Sequence, residues 1–140
     1  MKAVLDVNVI VSAAIAPLGA SRAIIDAARR GDVDLATSHG IIAEVEDKLK
    51  TPRIGGRYRL TAEDVGIAVA SLTSQAQVVI VPAGDVQEVT GDPEDDYVLA
   101  TARMVEADYL VTGDRALLAL GEHAGVQIIS PRQFVDLLGG

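Results

Sequence analysis

Apolar residues recur along the chain in two periods, one typical of short buried strands and the other of amphipathic helices. The short apolar runs predict strands at residues 2–6, 33–37, 77–81, 109–112 and 126–129. Helical spacing predicts helices at residues 8–15, 21–30, 39–50, 61–73, 92–106 and 117–120, and one more from residue 130. Strands that alternate with helices in this way indicate an α/β protein, a three-layer α/β/α fold with a central, mostly parallel sheet.

Capping residues mark where several of these helices begin. Ser21 is predicted to cap the second helix, and Thr61 with Asp64 forms a predicted capping box before the fourth. Asp92 followed by Pro93, and Ser130 followed by Pro131, are typical of helix starts, because proline is favoured at the first helical position. These caps support the boundaries that the apolar spacing predicts.

Length and composition restrict the class of protein. The 140 residues suit one domain over 1–140, and an apolar fraction of 49% is enough for a single core. The absence of cysteine excludes disulfides and thiolate metal sites, and it agrees with a reducing, cytoplasmic location. No apolar run approaches the ~18 residues that span a bilayer, so no membrane association is expected.

The formal net charge of −8 bears on the partners of the chain. Proteins that bind nucleic acid without sequence preference are usually basic, because phosphate contacts supply most of their affinity. The charge therefore counts against a nucleic-acid partner unless the acids are concentrated for a purpose. Binding a metal ion is one such purpose, and binding a basic protein is another.

Several acids follow the predicted strands at the edge where parallel sheets bind their ligands. Asp6 ends the first strand, and Asp114 follows the strand that ends at Thr112. Other acids lie near the starts of predicted helices: Glu44, Asp92, Asp95 and Asp96. They are far apart in sequence, yet the predicted topology can bring them to one edge of the sheet.

A cluster of four carboxylates would repel itself strongly unless a cation compensates the charge. Carboxylate oxygens are hard ligands, which favour Mg²⁺ or Mn²⁺ over softer metals. Such ions lower the pKa of a bound water and neutralise charge on a phosphodiester. The pattern thus predicts metal-dependent phosphoryl chemistry, which needs little else from the protein.

Each acid also has a purely structural interpretation. Asp92 suits a helix cap, and Asp95 suits the acidic third position of the same helix. Glu44 suits the solvated face of an amphipathic helix, and Asp114 suits the cap of the short helix after it. Asp6 is the hardest to explain in this way, because an acid that closes an apolar strand is rarely fully solvated.

Around these acids the sequence resembles the PIN-domain family. More narrowly, it resembles the VapC-like ribonucleases that are the toxins of bacterial toxin–antitoxin pairs. The resemblance extends from Met1 to about Leu138, in segments 4–12, 41–45, 92–102 and 107–114. Each segment alone is weakly specific, but four in this order and spacing are fairly specific. One departure is Val7, where the family more commonly has threonine.

The resemblance implies roles for particular residues. The implied metal-binding and catalytic acids are Asp6, Glu44, Asp95 and Asp114. Counting back from Ala102 favours Asp95 as the third acid, and Asp96 remains an alternative. The residues implied to orient or support these acids are Asn8, Ser12, Thr112 and Asp92. The implied reaction is hydrolysis of single-stranded RNA by a metal-activated water, and the implied partners are a cognate antitoxin and a second copy of the chain.

A basic stretch offers contacts for an RNA backbone. Five of the 12 basic residues surround a predicted glycine-rich loop after the third helix: Lys48, Lys50, Arg53, Arg57 and Arg59. The hypothesis is that this stretch meets RNA phosphates. The alternative is a solvated helix end, where cations also interact favourably with the helix dipole.

Two other kinds of function use acids in an α/β fold. A haloacid-dehalogenase phosphatase needs a second aspartate two residues after the first, where this chain has Asn8. A phospho-receiver needs a lysine after a late strand, and no lysine follows Lys50. A third alternative is a PIN-like binding module without turnover, although such proteins usually lack one of the acids.

Overall fold

Six strands form one sheet in the computed structural model, which describes residues 1–139. The strands are β1 (Lys2–Leu5), β2 (Asp34–Ser38), β3 (Ala76–Val79), β4 (Tyr109–Val111), β5 (Glu122–His123) and β6 (Val126–Ile129). Their order across the sheet is β3-β2-β1-β4-β6-β5. Every neighbouring pair is parallel except β5 with β6, which confirms the predicted mostly parallel sheet. Gly140, the last residue of the predicted domain, lies outside the described residues.

Within residues 1–139, seven α-helices flank this sheet. They are α1 (Val7–Ile15), α2 (Ala20–Arg29), α3 (His39–Leu49), α4 (Ala62–Gln75), α5 (Pro93–Met104), α6 (Arg115–Leu120) and α7 (Pro131–Leu137). α1 packs on α2 and α3, α2 packs on α7, and α4 packs on α3 and β3. α5 instead lies against β1, β2 and β4. The α/β fold with helices around a central sheet is thereby confirmed.

The central strands are buried because both faces of the sheet are covered. Ala3, Val4 and Leu5 of β1 are at most 2% exposed, and Leu110 and Val111 of β4 are fully buried. Continuous apolar runs of this kind are typical of parallel strands between helical layers. The core is mainly aliphatic, with Phe134 as its one fully buried aromatic side chain.

The predicted caps agree with the structure at three of four helices. Thr61 with Asp64 forms the expected capping box, and both Asp92 and Ser130 accept bonds from the first turns of their helices. The prediction for Ser21 is wrong, because α2 begins one residue earlier with Gly19 as its N-cap. Ser21 is buried in the first turn instead, so packing outweighs its capping preference.

Other elements also differ from the sequence prediction. The predicted loop after α3 contains a π-helical turn at Pro52–Gly56. β3 ends at Val79, earlier than the predicted strand, and the chain then leaves the sheet. The two-residue strand β5 was not predicted, because two residues are too few to show a period. β5 is part of the sheet through its antiparallel pairing with β6.

The strand order creates a switch point between β1 and β4. The chain proceeds outwards from β1 to β2 and β3, and then returns to place β4 on the other side of β1. Loops that leave two neighbouring strands in opposite directions open a crevice at their carboxyl ends. Asp6 follows β1 and Asp114 lies three residues beyond β4, so both acids lie at this crevice.

No single helix among residues 1–139 is long and apolar enough to cross a bilayer. α1 and α2 reach the required length only when taken together, and they meet at an angle of 90°.

Candidate active site

Asp6 links the sheet to α1. Its backbone N–H donates to the carbonyl of Val111 at 2.9 Å, which extends the β1–β4 pairing by one residue. Its side chain caps α1, since Oδ1 accepts from the backbone N–H of Val7 at 2.8 Å. The residue is 6% exposed, so its carboxylate is buried at the crevice between the two strands.

Thr112 joins two of the predicted acids. Its hydroxyl donates to Oδ2 of Asp6 at 2.6 Å, and the same oxygen accepts from the backbone N–H of Asp114 at 3.0 Å. The side chain is fully buried. Hydrogen bonds to ionised acceptors are strong, so Thr112 holds the end of β4 and the end of β1 in one arrangement.

Asp114 caps α6 and also faces the crevice. Oδ1 accepts from the backbone N–H groups of Ala116 and Leu117 at 2.8 and 3.1 Å. Its second oxygen, Oδ2, accepts no hydrogen bond within residues 1–139. The structural interpretation of this acid as a cap is therefore correct, and it leaves one oxygen for another ligand.

Asp95 lies among other carboxylates. Its pKa is raised from the ordinary 3.8 to about 6, chiefly because burial removes water from the charged form. Neighbouring negative charges raise the pKa further, and they belong to Asp114, Asp92, Asp6 and Asp96. The Asp95 carboxylate accepts no hydrogen bond from the described part of the chain, so nothing but solvent compensates its charge. α5 thus brings a third acid to the crevice formed by β1 and β4.

Asp92 is the N-cap of α5. Its Oδ1 accepts from the backbone N–H groups of Glu94 and Asp95 at 2.9 and 3.4 Å. The cap therefore engages one oxygen of Asp92. The negative charge of Asp92 also contributes to the raised pKa of Asp95.

Asp96 has a different environment from Asp95. One of its oxygens, Oδ1, accepts from the backbone N–H groups of Val89 and Thr90 and from the Thr90 hydroxyl, at 2.8–3.2 Å. Burial alone would raise the pKa of Asp96, but the hydrogen bonds from Thr90 and Val89 hold it below its ordinary value. Asp96 is 4% exposed and anchors the segment that precedes α5.

Glu44 faces α1 and α5 across a neighbouring cavity. This cavity also has walls from Val7 at the start of α1 and Pro93 at the start of α5. Glu44 is partly buried and, within the described residues, accepts no hydrogen bond. It is therefore the predicted acid that the structure ties least closely to Asp6, Asp95 and Asp114.

A cation lies on the same face of α3 as Glu44. Lys48, one turn further along the helix, donates from Nζ to Oδ1 of Asn8 at 3.1 Å. Asn8 lies in the first turn of α1, two residues after Asp6. The ammonium group is thus held beside the start of α1 through the predicted orienting residue Asn8.

The other predicted residues are not joined to the acids. The hydroxyl of Ser12 makes no hydrogen bond with any acid in residues 1–139. Lys50 pairs with Glu46 at 2.7 Å on the solvated side of α3. The three arginines of the basic stretch are exposed, and the guanidinium of Arg57 lies 5.6 Å from the ring centre of Tyr58.

The donor set fits a hard divalent cation. Asp6, Asp95 and Asp114 provide carboxylate oxygens, and burial together with the neighbouring carboxylates raises the pKa of Asp95. As the side chains are placed, no group of three or more acids or histidines within residues 1–139 is close enough to hold one ion. To bind a cation there, some of these side chains must rotate. The carboxylates of Asp95 and Glu44 can do so without breaking a hydrogen bond, because they accept none within residues 1–139.

Sequence reasoning missed Tyr97, which lines the cavity beside Glu44. Its hydroxyl accepts from the backbone N–H of Gly40 at 3.1 Å. The available indication was its place directly after the Asp95–Asp96 pair in a chain with few aromatics. The position of Tyr97 at this cavity depends on the contact between α3 and α5, which no local pattern predicts.

Comparison with known proteins identifies the fold and the family of the chain. The fold resembles a chain of the VapBC2 complex from Rickettsia felis, whose crystal structure contains a DNA fragment from the promoter. That match has a TM-score of 0.64 at 14% identity and covers 93% of this chain and 98% of the other. A search of curated proteins found no significant match. The PIN-domain profile matches residues 2–116, and PIN domains are typically nucleases that use divalent metals. The chain belongs to the PIN-domain family.

Proposed function

We propose that the chain is a metal-dependent endoribonuclease that hydrolyses phosphodiester bonds of single-stranded RNA. The observation that carries the proposal is the convergence of Asp6, Asp95 and Asp114 at the β1–β4 switch point, where the pKa of Asp95 is raised to about 6. Asp95 accepts no hydrogen bond from the described residues, and carboxylates gathered at one place repel one another, which is costly to the fold. Their cost is understandable if the protein needs them to hold cations.

Mg²⁺ or Mn²⁺ would be held by Asp6, Glu44, Asp95 and Asp114. When bound, such an ion supplies a hydroxide-like water and neutralises charge on the phosphodiester. Asp95 is preferred over Asp96 as the third acid, because the Asp96 carboxylate is engaged by Thr90 and Val89. Asp6 keeps its orientation through Thr112 and the N–H of Val7, so it presents the same oxygens throughout a reaction cycle.

Asn8, Ser12, Thr112 and Asp92 are assigned supporting roles. Thr112 positions Asp6 and Asp114 directly, and Asp92 shapes the first turn of α5 that presents Asp95. Asn8 positions Lys48 by accepting its ammonium hydrogen bond. The role of Ser12 rests on the family resemblance alone and stays a prediction.

The basic stretch is proposed to contact RNA phosphates. Lys48 is the member nearest to the acids, and the three exposed arginines extend the positive surface past the π-helical turn. Charge neutralisation predicts that Lys48→Ala weakens RNA binding and lowers the slope of log affinity against log salt by about one. Arg132→Ala is the matched control, because Arg132 is an exposed cation on α7, outside the basic stretch. An equal effect of both substitutions would assign no special role to Lys48.

An antitoxin is the proposed protein partner. A groove of about 400 Å³ lies among α1, α2, α3 and α4, with apolar walls that include Ile10, Ile25 and Leu60. Ile67 at this groove is 61% exposed and adds apolar surface that a partner could cover. The net charge of −8 suits a basic partner. We further propose that the chain is the toxin of such a pair and that it forms a homodimer.

The test is cleavage of a mixed single-stranded RNA by the purified chain with Mg²⁺, with Mn²⁺ or with chelator. Cleavage is expected only with metal, and Asp6→Asn is expected to abolish it. Asp136→Asn is the matched control, since Asp136 is exposed on α7 far along the chain. Metal-independent cleavage, or full activity of Asp6→Asn, would contradict the proposal.

Two alternatives give different outcomes in the same experiment. A PIN-like binding module would bind Mn²⁺ in calorimetry yet cut no RNA under any condition. Another acidic-site phosphohydrolase would release phosphate from a small phosphomonoester and leave RNA chains intact. Each outcome is distinct from metal-dependent RNA cleavage.

A further inference from the structure

A cavity of about 250 Å³ lies beside Glu44, between the start of α1, α3 and the first turns of α5. Most of its wall is apolar and consists of Val7, Gly40, Ile41, Pro93, Tyr97 and Val98. Two carboxylates also line it, Glu44 and Glu94. Glu44 belongs to the proposed metal-binding set, whereas Glu94 has no part in it. The cavity therefore opens next to the place where a phosphodiester would be cut.

Tyr97 is distinguished from the other aromatic residues by its position. The chain has three tyrosines and one phenylalanine. Phe134 is buried in the core with Tyr109 against its edge, at 5.5 Å between ring centres. Tyr58 lies in the exposed basic stretch. Tyr97 is thus the aromatic side chain whose ring lines a cavity shared with one of the proposed metal-binding acids.

The Tyr97 ring is held in place from α3. The backbone N–H of Gly40 donates to its hydroxyl oxygen at 3.1 Å, so the hydroxyl hydrogen remains free to donate elsewhere. Gly40 is required for this approach, since any Cβ at that position would overlap the ring. A fixed aromatic surface loses little conformational freedom when a flat ligand packs against it.

We propose that this cavity binds a nucleobase adjacent to the scissile phosphate, with preference for a base that carries an exocyclic amino group. The inference rests on the proposed ribonuclease function, whose substrate it describes more closely. Unpaired bases in RNA are recognised by stacking on aromatic side chains and by bonds to their edges. Apolar walls with Tyr97 on one side suit the faces of a base.

The carboxylate of Glu94 supplies the preference. An ionised carboxylate only accepts hydrogen bonds, so it attracts the amino group of cytosine, adenine or guanine. Uracil has a carbonyl oxygen where cytosine has its amino group, and two acceptors repel each other. Cytosine is therefore expected to bind better than uracil at this position.

Cytidine and uridine form a matched pair of probes, because they differ only along one edge of the base. Cytosine has an amino group and an unprotonated N3 there, and uracil has a carbonyl oxygen and an N3–H. Titration of the ¹⁵N-labelled full chain in chelator follows amide shifts without metal and without turnover. Shifts are expected around Gly40 and Tyr97, with cytidine binding about 2- to 10-fold more tightly, the equivalent of one net hydrogen bond.

Two substitutions separate stacking from edge recognition. Tyr97→Leu is expected to lower the affinity for both nucleosides about 5-fold or more. Tyr97→Phe keeps the ring and is expected to retain most of the affinity. Glu94→Gln is expected to cancel the preference for cytidine, because the glutamine amide can either accept from the amino group or donate to the uracil carbonyl. Glu94 is exposed at the start of α5, so this variant tests the proposal even if Tyr97→Leu does not fold.

The outcomes distinguish this proposal from the function on which it rests. Nucleoside shifts elsewhere on the chain, no shifts up to the solubility limit, or a Glu94→Gln variant that still prefers cytidine would overturn the cavity assignment. Metal-dependent RNA cleavage would stand in each of those cases. Conversely, failure to cleave RNA with correct nucleoside binding would overturn the nuclease function and retain the cavity as a base-binding site.

Discussion

Two regions at the start of α5 place adjacent aspartates in opposite environments. Around Asp95 there are other carboxylates and no hydrogen-bond donors from the described chain, and its pKa is raised to about 6. Around Asp96 there are three donors from Val89 and Thr90, and its pKa is lowered. The two residues have the same side chain and are neighbours in the same helical turn. Their difference is due entirely to what the tertiary structure places opposite each of them.

The comparison distinguishes Asp96, which stabilises the fold, from Asp95, which does not. Asp96 satisfies three donors that would otherwise be left unpaired, so it stabilises the segment before α5. Asp95 gains no such bond and is destabilised by the charges near it. Acids that cost stability in this way are candidates for function, because only an added ligand can compensate them.

The largest expected effect on folding is at Asp96. Asp96→Asn replaces an ionised acceptor with a neutral amide, whose oxygen can still accept from Val89 and Thr90 but carries no charge. We expect the free energy of unfolding to fall by ~2 kcal/mol at pH 7, since bonds to charged acceptors are the stronger ones. Chemical denaturation checks this value, and Asp95→Asn is the adjacent control. An unchanged midpoint would show that the segment before α5 is held without Asp96.

The free energy of unfolding, measured as a function of pH, tests the hydrogen bonds to Asp96 without mutation. The pKa of Asp96 is lowered in the folded state, so its contribution is complete above the ordinary carboxyl pKa and is lost as the pH falls below it. The acid-induced loss should be smaller in Asp96→Asn than in the parent chain.

An intermediate effect is expected at Thr112, which joins Asp6 to Asp114. Thr112→Val keeps the side-chain volume but removes the hydroxyl that donates to Oδ2 of Asp6. The buried carboxylate then lacks one donor, and we expect a loss of ~1.5 kcal/mol in the free energy of unfolding. Affinity for Mn²⁺, measured by calorimetry, should fall as well because Asp6 loses its orientation. Thr112→Ser should restore both, and a serine variant as poor as the valine variant would assign the effect to packing.

The smallest expected effect has the opposite sign and belongs to Asp95. Its pKa is raised in the folded state, so the fold gains from a protonated Asp95 below pH 3.8 and loses this gain as the pH rises to about 6. Asp95→Asn should therefore stabilise the metal-free chain by ~1 kcal/mol at pH 7, after allowance for solvent screening. The same variant should bind Mn²⁺ poorly. A destabilised Asp95→Asn chain would mean that this acid makes a favourable contact after all.

The sequence predicted much of the fold because its patterns are local. Apolar runs located the five longer strands, and caps such as Thr61, Asp92 and Ser130 located helix starts. The two-residue strand β5 and the π-helical turn after α3 depend on partners distant in sequence, so no period indicates them. Ser21 shows the same limit, since its burial in α2 outweighs a local capping preference.

The candidate site was predictable in its residue types but not in the environments of those residues. Asp6 and Asp114 could be placed at the sheet edge from strand ends alone, and their roles in metal binding remain predictions. The partners of Asp95 and Asp96 could not be predicted, because a shift of one position on a helix turns a side chain by about 100°. Lys48 beside Asn8, and Tyr97 beside Gly40, likewise depend on how α3 meets α1 and α5.

By itself, the sequence determined the α/β class, the mostly parallel sheet and the presence of acids at the strand ends, because these follow from period, capping and chain order. Only the tertiary structure decided which carboxylates meet one another and which meet hydrogen-bond donors. The physical reason is that an acid's pKa and its cost to the fold depend on charges and dipoles within a few ångströms. For Asp95 they include Asp6 and Asp114, which are distant in the chain, whereas Asp96 accepts from Val89 and Thr90 in the segment just before α5.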